Sequence, residues 1–167
     1  MTLDFQALSD RIAIEEHILR YAHLVDSGRL AGVAAEIFTE DAVLRFGDMV
    51  LEGRDAIDAT LTGSANDLAG CSHNVTNLLI QVDGDSARAS YRILGWHWYL
   101  RPDGRPSQAS DMLTVGGYED ELVRRPEGWR VHGRRSFALG SGIGVGAPPP
   151  ELTSFFDRLA KARISWP

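Results

Sequence analysis

Residues 75–100, VTNLLIQVDGDSARASYRILGWHWYL, carry the strongest structural signal in the chain. Two long runs rich in β-branched and aromatic residues flank the turn sequence Asp83-Gly84-Asp85. This pattern is typical of a β-hairpin, because aspartate and glycine tolerate the backbone angles that tight hairpin turns require. The segment therefore predicts two long antiparallel strands, over residues 75–82 and 87–100.

The C-terminal side of this hairpin predicts two further strands. A Pro- and Gly-containing break over 101–106 ends the second strand, and strand-like sequence resumes over 110–124 and 129–139. The sequence after residue 139 changes character. We expect a Gly/Pro-rich loop or lid over 140–150 and an amphipathic C-terminal helix over 151–163.

The N-terminal side is predicted to be mainly helical. Apolar residues recur with a helical period up to Val25, Ser9 is a suitable cap, and Gly28 ends the pattern. The elements expected next are a short helix over 30–38, strands over 42–46 and 49–52, a helix of one or two turns over 56–61, and a loop over 63–70.

The order of these elements predicts one α+β domain. Helices come first and a long antiparallel meander follows, so we expect a curved mixed or antiparallel sheet wrapped around the N-terminal helices. Such a sheet forms a cone with a concave interior, which is a natural ligand pocket. A chain of 167 residues suits a single domain, here 1–167, with its core over about 5–139.

Composition excludes several classes of function. The net charge of −6 disfavours binding to a phosphate backbone, so no nucleic-acid partner is expected. No apolar run approaches the roughly 18 residues that a membrane span requires. The N-terminus lacks the pattern of a signal peptide, and the single cysteine, Cys71, suits a reducing compartment. We therefore expect a soluble cytoplasmic protein.

Three dispersed residues, Asp26, His73 and His97, are the candidate catalytic groups. A carboxylate that holds one ring nitrogen of an imidazole fixes its tautomer and makes it an effective general base. Because successive residues of a strand point to opposite faces, alternation predicts which side chains face the pocket together with the two histidines. It assigns one face to His73, Val75, Asn77 and Leu79, and one face of the neighbouring strand to Tyr91, Ile93, Gly95, His97 and Tyr99.

Each candidate also has a structural interpretation. Asp26 could cap the end of its helix, His73 could bond to backbone, and His97 could be a packed aromatic neighbour. Only one of Arg134 and Arg135 can face inward, because successive strand residues point to opposite faces. The other histidines lack the companions of a metal site, so neither a metal nor an organic cofactor is expected.

The chain resembles the SnoaL-like branch of the nuclear-transport-factor-2-like superfamily, up to about Leu139. The resemblance rests on the element order and on two motifs, Tyr21 to Asp26 followed by Ser27-Gly28-Arg29-Leu30, and Phe38-Thr39-Glu40-Asp41-Ala42. Scytalone dehydratase and hexachlorocyclohexane dehydrochlorinase, two enzymes of that superfamily, orient a catalytic histidine with an aspartate of the first helix. Asp26 and His73 match that pair.

The resemblance implies roles for further residues. His97 matches a second histidine of the dehydratase, Arg134 matches an arginine lining the dehydrochlorinase pocket, and Tyr21 matches a pocket tyrosine. It also implies a cofactor-independent lyase, of the dehydratase or dehydrohalogenase type, acting on a small hydrophobic organic molecule. We expect the substrate to contact Tyr21, Arg134, Tyr99 and Ile93.

Two alternatives remain open. A polyketide cyclase or ketosteroid-type isomerase would use the same base and would need an oxyanion donor such as Tyr21 or Tyr99. A non-catalytic ligand-binding protein or a dioxygenase small subunit would use the polar residues for structure only. In either case, Leu94, Trp96 and Trp98 on the outer face of the sheet predict a homo-oligomer, a dimer or trimer.

Overall fold

The computed structural model describes residues 4–65, 68–99, 112–138 and 143–144. Three helices and seven strands lie within these ranges. The helices are α1 (Phe5–Asp26), α2 (Val33–Ile37) and α3 (Arg54–Ala65). The strands are β1 (Phe38–Phe46), β2 (Met49–Glu52), β3 (Leu68–Asp83), β4 (Ser86–Tyr99), β5 (Met112–Arg125), β6 (Gly128–Ala138) and β7 (Ile143–Gly144).

The strands form one curved, mixed sheet in the order β2-β1-β6-β5-β4-β3, with β7 added beside β5. Every pairing is antiparallel except that of β1 with β6, which is parallel and aligns Phe46 with Ser136. Within the described residues the sheet does not close, since β2 and β3 remain edge strands. The predicted α+β class and the sheet wrapped around helices are confirmed.

The core lies between the helices and the concave face of the sheet. Its fully buried side chains come from both layers, for example Ile14 and Ile18 of α1, Ile57 of α3, and Leu44 and Val131 of the sheet. Burial of each such side chain contributes about 1.5–3 kcal/mol. This packing holds α1 against β3 and gives the sheet its concave face.

A bidentate ion pair joins α1 to the sheet near its N-terminal end. Asp10, which is almost fully buried, accepts hydrogen bonds from both terminal nitrogens of Arg124, at 2.6 and 2.7 Å. The Arg124 guanidinium holds the pKa of the Asp10 carboxyl below its usual range. None of the described helices has the length and hydropathy needed to cross a bilayer.

A β-bulge in β3 changes the predicted faces of this strand. Asn77 has φ 53°, and the register with β4 shifts between Thr76 and Leu79. One extra residue reverses the alternation, so Leu79 is 58% exposed whereas Ile80 is only 7% exposed. The prediction that Asn77 and Leu79 share the face of His73 is therefore wrong, and Leu78 and Ile80 take the inner positions.

Several element boundaries differ from the predicted ones. Helix α1 begins at Phe5, because Asp4 accepts a hydrogen bond from the Gln6 backbone N–H and so acts as the cap that was assigned to Ser9. The predicted loop over 63–70 is wrong, because α3 extends to Ala65 and β3 begins at Leu68. Strand β3 is long because its pairing with β4 continues outward to Tyr99.

Part of the Gly-rich segment is also strand rather than loop. Ile143 and Gly144 pair with Leu113 and Met112 of β5, so the prediction of a continuous loop over 140–150 is wrong at these two residues. Backbone pairing to a free position on a neighbouring strand outweighs the low strand propensity of glycine here. The predicted C-terminal helix over 151–163 lies outside the described residues.

Candidate active site

Asp26 and His73 are in direct contact. Asp26 is the last residue of α1, and His73 lies on the inner face of β3. The Asp26 Oδ1 is 2.6 Å from His73 Nδ1, and Asp26 Oδ2 accepts a hydrogen bond from the His73 backbone N–H at 2.8 Å. An ionised carboxylate can only accept, so in the neutral form of the ring the proton lies on Nδ1 and the lone pair on Nε2.

The position of Asp26 is electrostatically unfavourable for the helix alone. A carboxylate in the last turn meets the negative end of the helix dipole, where cationic side chains are normally favoured. The two N–H donors of His73 offset this cost, and the helix itself is closed by Ser27 Oγ, which donates to the Leu24 carbonyl at 2.9 Å. The capping interpretation of Asp26 is thus not needed to end α1.

His97 lies next to the pair on β4. Its ring centroid is 5.1 Å from that of His73, and the two rings are nearly perpendicular, at 84°. Burial, together with the charge of His73, lowers the pKa of His97 to about 4. His97 is therefore neutral at pH 7, and its buried Nδ1 has no hydrogen-bond partner among the described residues.

Gly95 makes room for this arrangement. Gly95 pairs with His73 on one side and Thr114 on the other, without a register shift. A Cβ at residue 95 would lie 2.8 Å from Thr114 Oγ1, 3.1 Å from His97 Cε1 and 3.3 Å from His73 Cδ2. Only a glycine lets the two imidazoles and the threonine meet over this point of the sheet.

Cys71 adds a thiol to the same neighbourhood. Atoms of Asp26, Cys71 and His73 that could bind a metal lie within 4.8 Å of one another. Burial and the nearby Asp26 carboxylate raise the pKa of the Cys71 thiol to about 12, which disfavours the thiolate that metal binding requires. Both carboxylate oxygens of Asp26 are already engaged with His73, so this donor set suits proton sharing better than metal binding.

Arg134 faces the interior, whereas Arg135 points to the outer face and pairs with Glu119. The Arg134 guanidinium donates to both oxygens of Asp120, at 2.7 and 2.8 Å, and to the Tyr91 hydroxyl at 2.9 Å. Its side chain is 1% exposed, and that of Asp120 is 0% exposed. Asp120 therefore neutralises the buried charge that the sequence suggested for substrate binding.

Aromatic rings enclose this guanidinium. The Arg134 Cζ lies 4.4 Å from the ring centroid of Tyr21, 4.5 Å from that of Tyr118 and 5.2 Å from that of Phe38. Burial raises the pKa of both Tyr21 and Tyr118, so their phenols stay protonated and can donate. Tyr21 thus belongs to the group around Arg134, one and a half turns along α1 from Asp26.

The remaining predicted contacts lie on β4. Ile93 is 7% exposed on the inner face, between Val75 and Gly116 of the adjacent strands. The side chain of Tyr99 lies outside the described part of the chain. Sequence reasoning missed Thr114, Tyr118 and Ser136, which join the inner face only through the register of β5 and β6.

A cleft of about 500 Å³ is lined by residues of β1, β4, β5 and β6, and Asp120 and Arg134 are among them. Charged side chains of both signs line it, among them Arg45, Arg88, Glu119 and Glu121. It contains neither Asp26 nor either of the paired imidazoles. The contact between Asp26 and His73 is therefore separate from this cleft, whereas Arg134 borders it.

Comparison with known proteins agrees with this fold. A family model described as a SnoaL-like domain matches residues 6–135. An uncharacterised Mycobacterium tuberculosis protein, Rv2910c, is 27% identical over 132 residues, which are 77% of this chain and 85% of the relative.

Two solved structures from Novosphingobium aromaticivorans are similar as well. One, named "Putative Scytalone Dehydratase", has a TM-score of 0.73 and 24% identity, covering 84% of this chain and 91% of its own. The other, an NTF2-like protein with a cystatin-like fold, has a TM-score of 0.61 and 24% identity, covering 93% of this chain and 98% of its own. These likenesses establish the fold, while the family model spans most of the chain. The chain belongs to the SnoaL-like domain family and has its NTF2-like, cystatin-like fold.

Proposed function

We propose that this protein is a cofactor-independent lyase, of the dehydratase or dehydrohalogenase type, that acts on a small hydrophobic organic molecule. The observation that carries the proposal is the 2.6 Å contact between Asp26 Oδ1 and His73 Nδ1. This contact directs the Nδ1–H of a neutral His73 ring to Asp26, so Nε2 is the atom that can act as a base, on the same face of the sheet as the apolar side chain of Ile93.

The proposed reaction is a β-elimination. His73 Nε2 takes a proton from a substrate carbon, the C–H electron pair becomes the new C=C bond, and the leaving group departs from the neighbouring carbon with its own electron pair. Asp26 stabilises the imidazolium that forms, as a carboxylate does for a histidine base in other enzymes. The proton then returns to solvent or to the departing hydroxide.

His97 could assist either as an acid or by orienting a water or a hydroxyl. With a pKa of about 4 it carries no proton to give as an imidazolium at neutral pH. A neutral imidazole still donates one ring N–H, so we propose that His97 hydrogen-bonds the leaving hydroxyl or a water. Its position 5.1 Å from His73, centroid to centroid, allows both rings to contact one small molecule.

The family supports this class of activity. The SnoaL-like family includes dehydratases and cyclases, and its members are often enzymes. The similar structure from N. aromaticivorans is named for scytalone dehydratase. A cyclase or isomerase would use the same base to form an enolate, and would retain all atoms of the substrate instead of releasing water or halide.

The experiment that tests the proposal compares Asp26→Asn and His73→Gln with the wild-type protein. Small hydrophobic β-hydroxy ketones and alkyl halides in D2O are followed by NMR for C–H exchange and for elimination products. Removal of the base or of its orienting carboxylate is expected to lower turnover by at least 100-fold, while thermal stability changes little. The matched control is His23→Gln, since His23 is an exposed histidine on the same helix as Asp26.

Full turnover in His73→Gln would contradict the proposal. Tight retention of an unaltered ligand by the wild-type protein would instead support the ligand-binding alternative. Co-purification with a much larger iron-containing subunit would support the dioxygenase alternative. Mass conservation between substrate and product would identify an isomerase or cyclase.

A further inference from the structure

Helix α1 carries apolar side chains on two faces. One face packs against the sheet through buried residues such as Ile14 and Ile18. The other face is exposed to solvent, where a surface helix normally presents polar residues. Eight large apolar side chains among the described residues are exposed, and four of them lie on this helix. They are Phe5, Leu8, Ile12 and Leu19, which are 83%, 43%, 50% and 45% exposed.

These four residues form one continuous surface, which we call the α1 stripe. At 3.6 residues per turn they fall within an arc of about 60° around the helix. The arc points away from Ile14 and Ile18, and hence away from the sheet. Phe5 and Leu19, its two ends, are about 21 Å apart along the helix axis. Contiguous exposed apolar surface of this kind marks an interaction site, whereas scattered single residues do not.

The α1 stripe is symmetric about Ile12. Phe5 and Leu19 each lie seven residues from Ile12, which is about two helical turns. Two copies of α1 in antiparallel contact around a two-fold axis at Ile12 would place Phe5 of each copy opposite Leu19 of the other. The two Ile12 side chains would meet at the axis. One patch thus serves both copies, as a closed two-fold contact requires.

Charged side chains beside the α1 stripe favour the same arrangement. Arg11 and Glu15 are exposed, and helical geometry places them one turn apart on the same flank of the stripe. A two-fold axis brings the matching flanks of the two copies together. With Ile12 at the axis, Arg11 of one copy and Glu15 of the other differ in height by about 3 Å. Each such pair joins opposite charges across the contact, whereas a parallel pairing would set like charges at equal heights.

The size of the stripe sets the strength of the contact. One helix face is smaller than the roughly 1,200–2,000 Å² that a stable interface buries, so we expect a reversible contact that needs high protein concentration. It is separate from the outer face of the sheet, where Leu94 and Val115 are exposed. The antiparallel order also keeps the two copies of Asp26 at opposite ends, about 42 Å apart along the helix axes.

We propose that the α1 stripe is an interface with a second copy of this chain, in which two α1 helices pack antiparallel around a two-fold axis at Ile12. The partner is the same chain because the stripe complements itself in both the spacing of its apolar residues and the placement of its charges. This inference is independent of the proposed lyase activity.

Disulfide cross-linking of the concentrated protein tests the geometry. Ile12→Cys is expected to form a disulfide-linked dimer under mild oxidation, because a residue at the axis meets its own copy. Leu19→Cys is the matched control, since its two copies would lie about 21 Å apart, beyond the reach of a disulfide. Both positions are exposed, so neither substitution disturbs the core. The native Cys71 is present in both variants and affects them equally.

Light scattering over a concentration series is a second measurement. The average mass of the wild-type protein is expected to rise by up to about twofold between roughly 10 μM and 1 mM. Ile12→Glu should abolish this rise, because the contact would bury a charge. Ala13→Glu, at an exposed position on another side of the same helix, should leave it unchanged. Arg11→Glu should reduce the rise, and adding Glu15→Arg should restore it, because the exchanged charges again meet opposite partners.

The proposal is overturned if the wild-type mass does not change with concentration, if Ile12→Cys does not cross-link, or if Leu19→Cys cross-links equally well. A mass rise that survives Ile12→Glu but not Leu94→Glu would assign the association to the outer face of the sheet and would overturn it as well. So would an introduced thiol at Ile12→Cys that resists maleimide labelling in the dilute protein, since another part of the same chain would then cover the stripe.

Discussion

At the scale of single residues, Gly95 controls the spacing of the two imidazoles. Its missing side chain leaves a gap that Thr114, His97 and His73 approach from three directions. Larger residues at this position would force at least one of these groups away. Gly95 therefore contributes to the site without any polar atom in its side chain.

Gly95→Ala tests this spacing. We expect turnover to fall by about tenfold or more and stability to fall by about 1 kcal/mol, because the new Cβ overpacks the site. Adding Thr114→Ala removes the 2.8 Å contact and should recover part of the stability. Gly63→Ala, where nothing lies within 4 Å, is the control and should be neutral or slightly stabilising in α3. Normal turnover in Gly95→Ala would contradict the role of the gap.

The titration of His97 predicts a pH dependence of stability. Its pKa is lowered to about 4 in the folded protein, against about 6.5 in an unfolded chain, so the unfolded state binds more protons between these values. Stability should therefore fall as the pH falls from about 6.5 to 4, by up to about 3 kcal/mol. Urea unfolding at pH 7.5 and pH 4.5 measures the loss. His97→Asn should show a smaller loss, and an equal loss in both proteins would contradict the prediction.

Sequence reasoning could identify Asp26 and His73, because a resemblance carries residue types at known places in a fold. It could not identify Thr114, Tyr118 or Ser136, since these residues have no distinctive motif and reach the concave face only through strand register. It could also not foresee that Asp120 neutralises Arg134, because 13 residues separate them along a hairpin. The register of β5 with β6, had it been known, would have shown that Tyr118 lies opposite Ser136 and that Asp120 lies opposite Arg134.

At the scale of secondary-structure elements, the bulge in β3 sets which residues face the core. Asn77 occupies the left-handed region with φ 53°, a conformation that β-branched residues avoid. The strand therefore presents His73 and Val75 inward before the bulge, and Ile80 inward after it. Strict alternation from the sequence fails at this one residue.

Substitutions at Asn77 test the importance of the bulge. Asn77→Val should destabilise the protein by about 1–2 kcal/mol, and Asn77→Gly should be neutral or slightly stabilising, because glycine adopts positive φ without strain. Unfolding in urea measures both. Asn74→Val is the control, since Asn74 is exposed on the same strand and has no positive φ. Equal destabilisation by the two valine variants would contradict the assignment of strain to residue 77.

The elements were predictable to different degrees. Long strands such as β4 follow directly from their content of β-branched and aromatic residues. The predicted turn at Asp83-Gly84-Asp85 is confirmed, because it joins β3 to β4. Strand β1 begins at Phe38, four residues before the predicted start at residue 42. Its first residue pairs with Val131, a partner nearly a hundred residues away, and no local pattern contains that pairing.

At the scale of the whole molecule, the outer face of the sheet remains the predicted surface for self-association. Leu94 and Val115 are cross-strand partners there and are 36% and 38% exposed. A cleft elsewhere on the protein carries charges of both signs, including Arg88 and Glu121, so two copies can offer opposite charges to each other. We therefore expect a homo-oligomer, a dimer or trimer, with the concave sites facing outward.

Size-exclusion chromatography with light scattering tests this expectation. The wild-type protein should have two or three times the monomer mass, and Leu94→Glu should lower that mass, because a charge at the centre of the patch opposes burial. Val50→Glu is the control, as Val50 is 44% exposed on the edge strand β2 at the other end of the sheet. A strictly monomeric wild-type protein would contradict the expectation.

The parallel pairing of β1 with β6 has a consequence for synthesis. Helices α1, α2 and α3 are all made before β6, yet Phe38 and Leu44 of β1 need β6 beside them to complete the sheet. A nascent chain that has left the ribosome only as far as β5 still exposes one edge of β1. Long-range pairing of this kind slows folding. The protein should therefore reach its native state only after residues 128–138 emerge, and shorter chains should depend on chaperones to remain unaggregated.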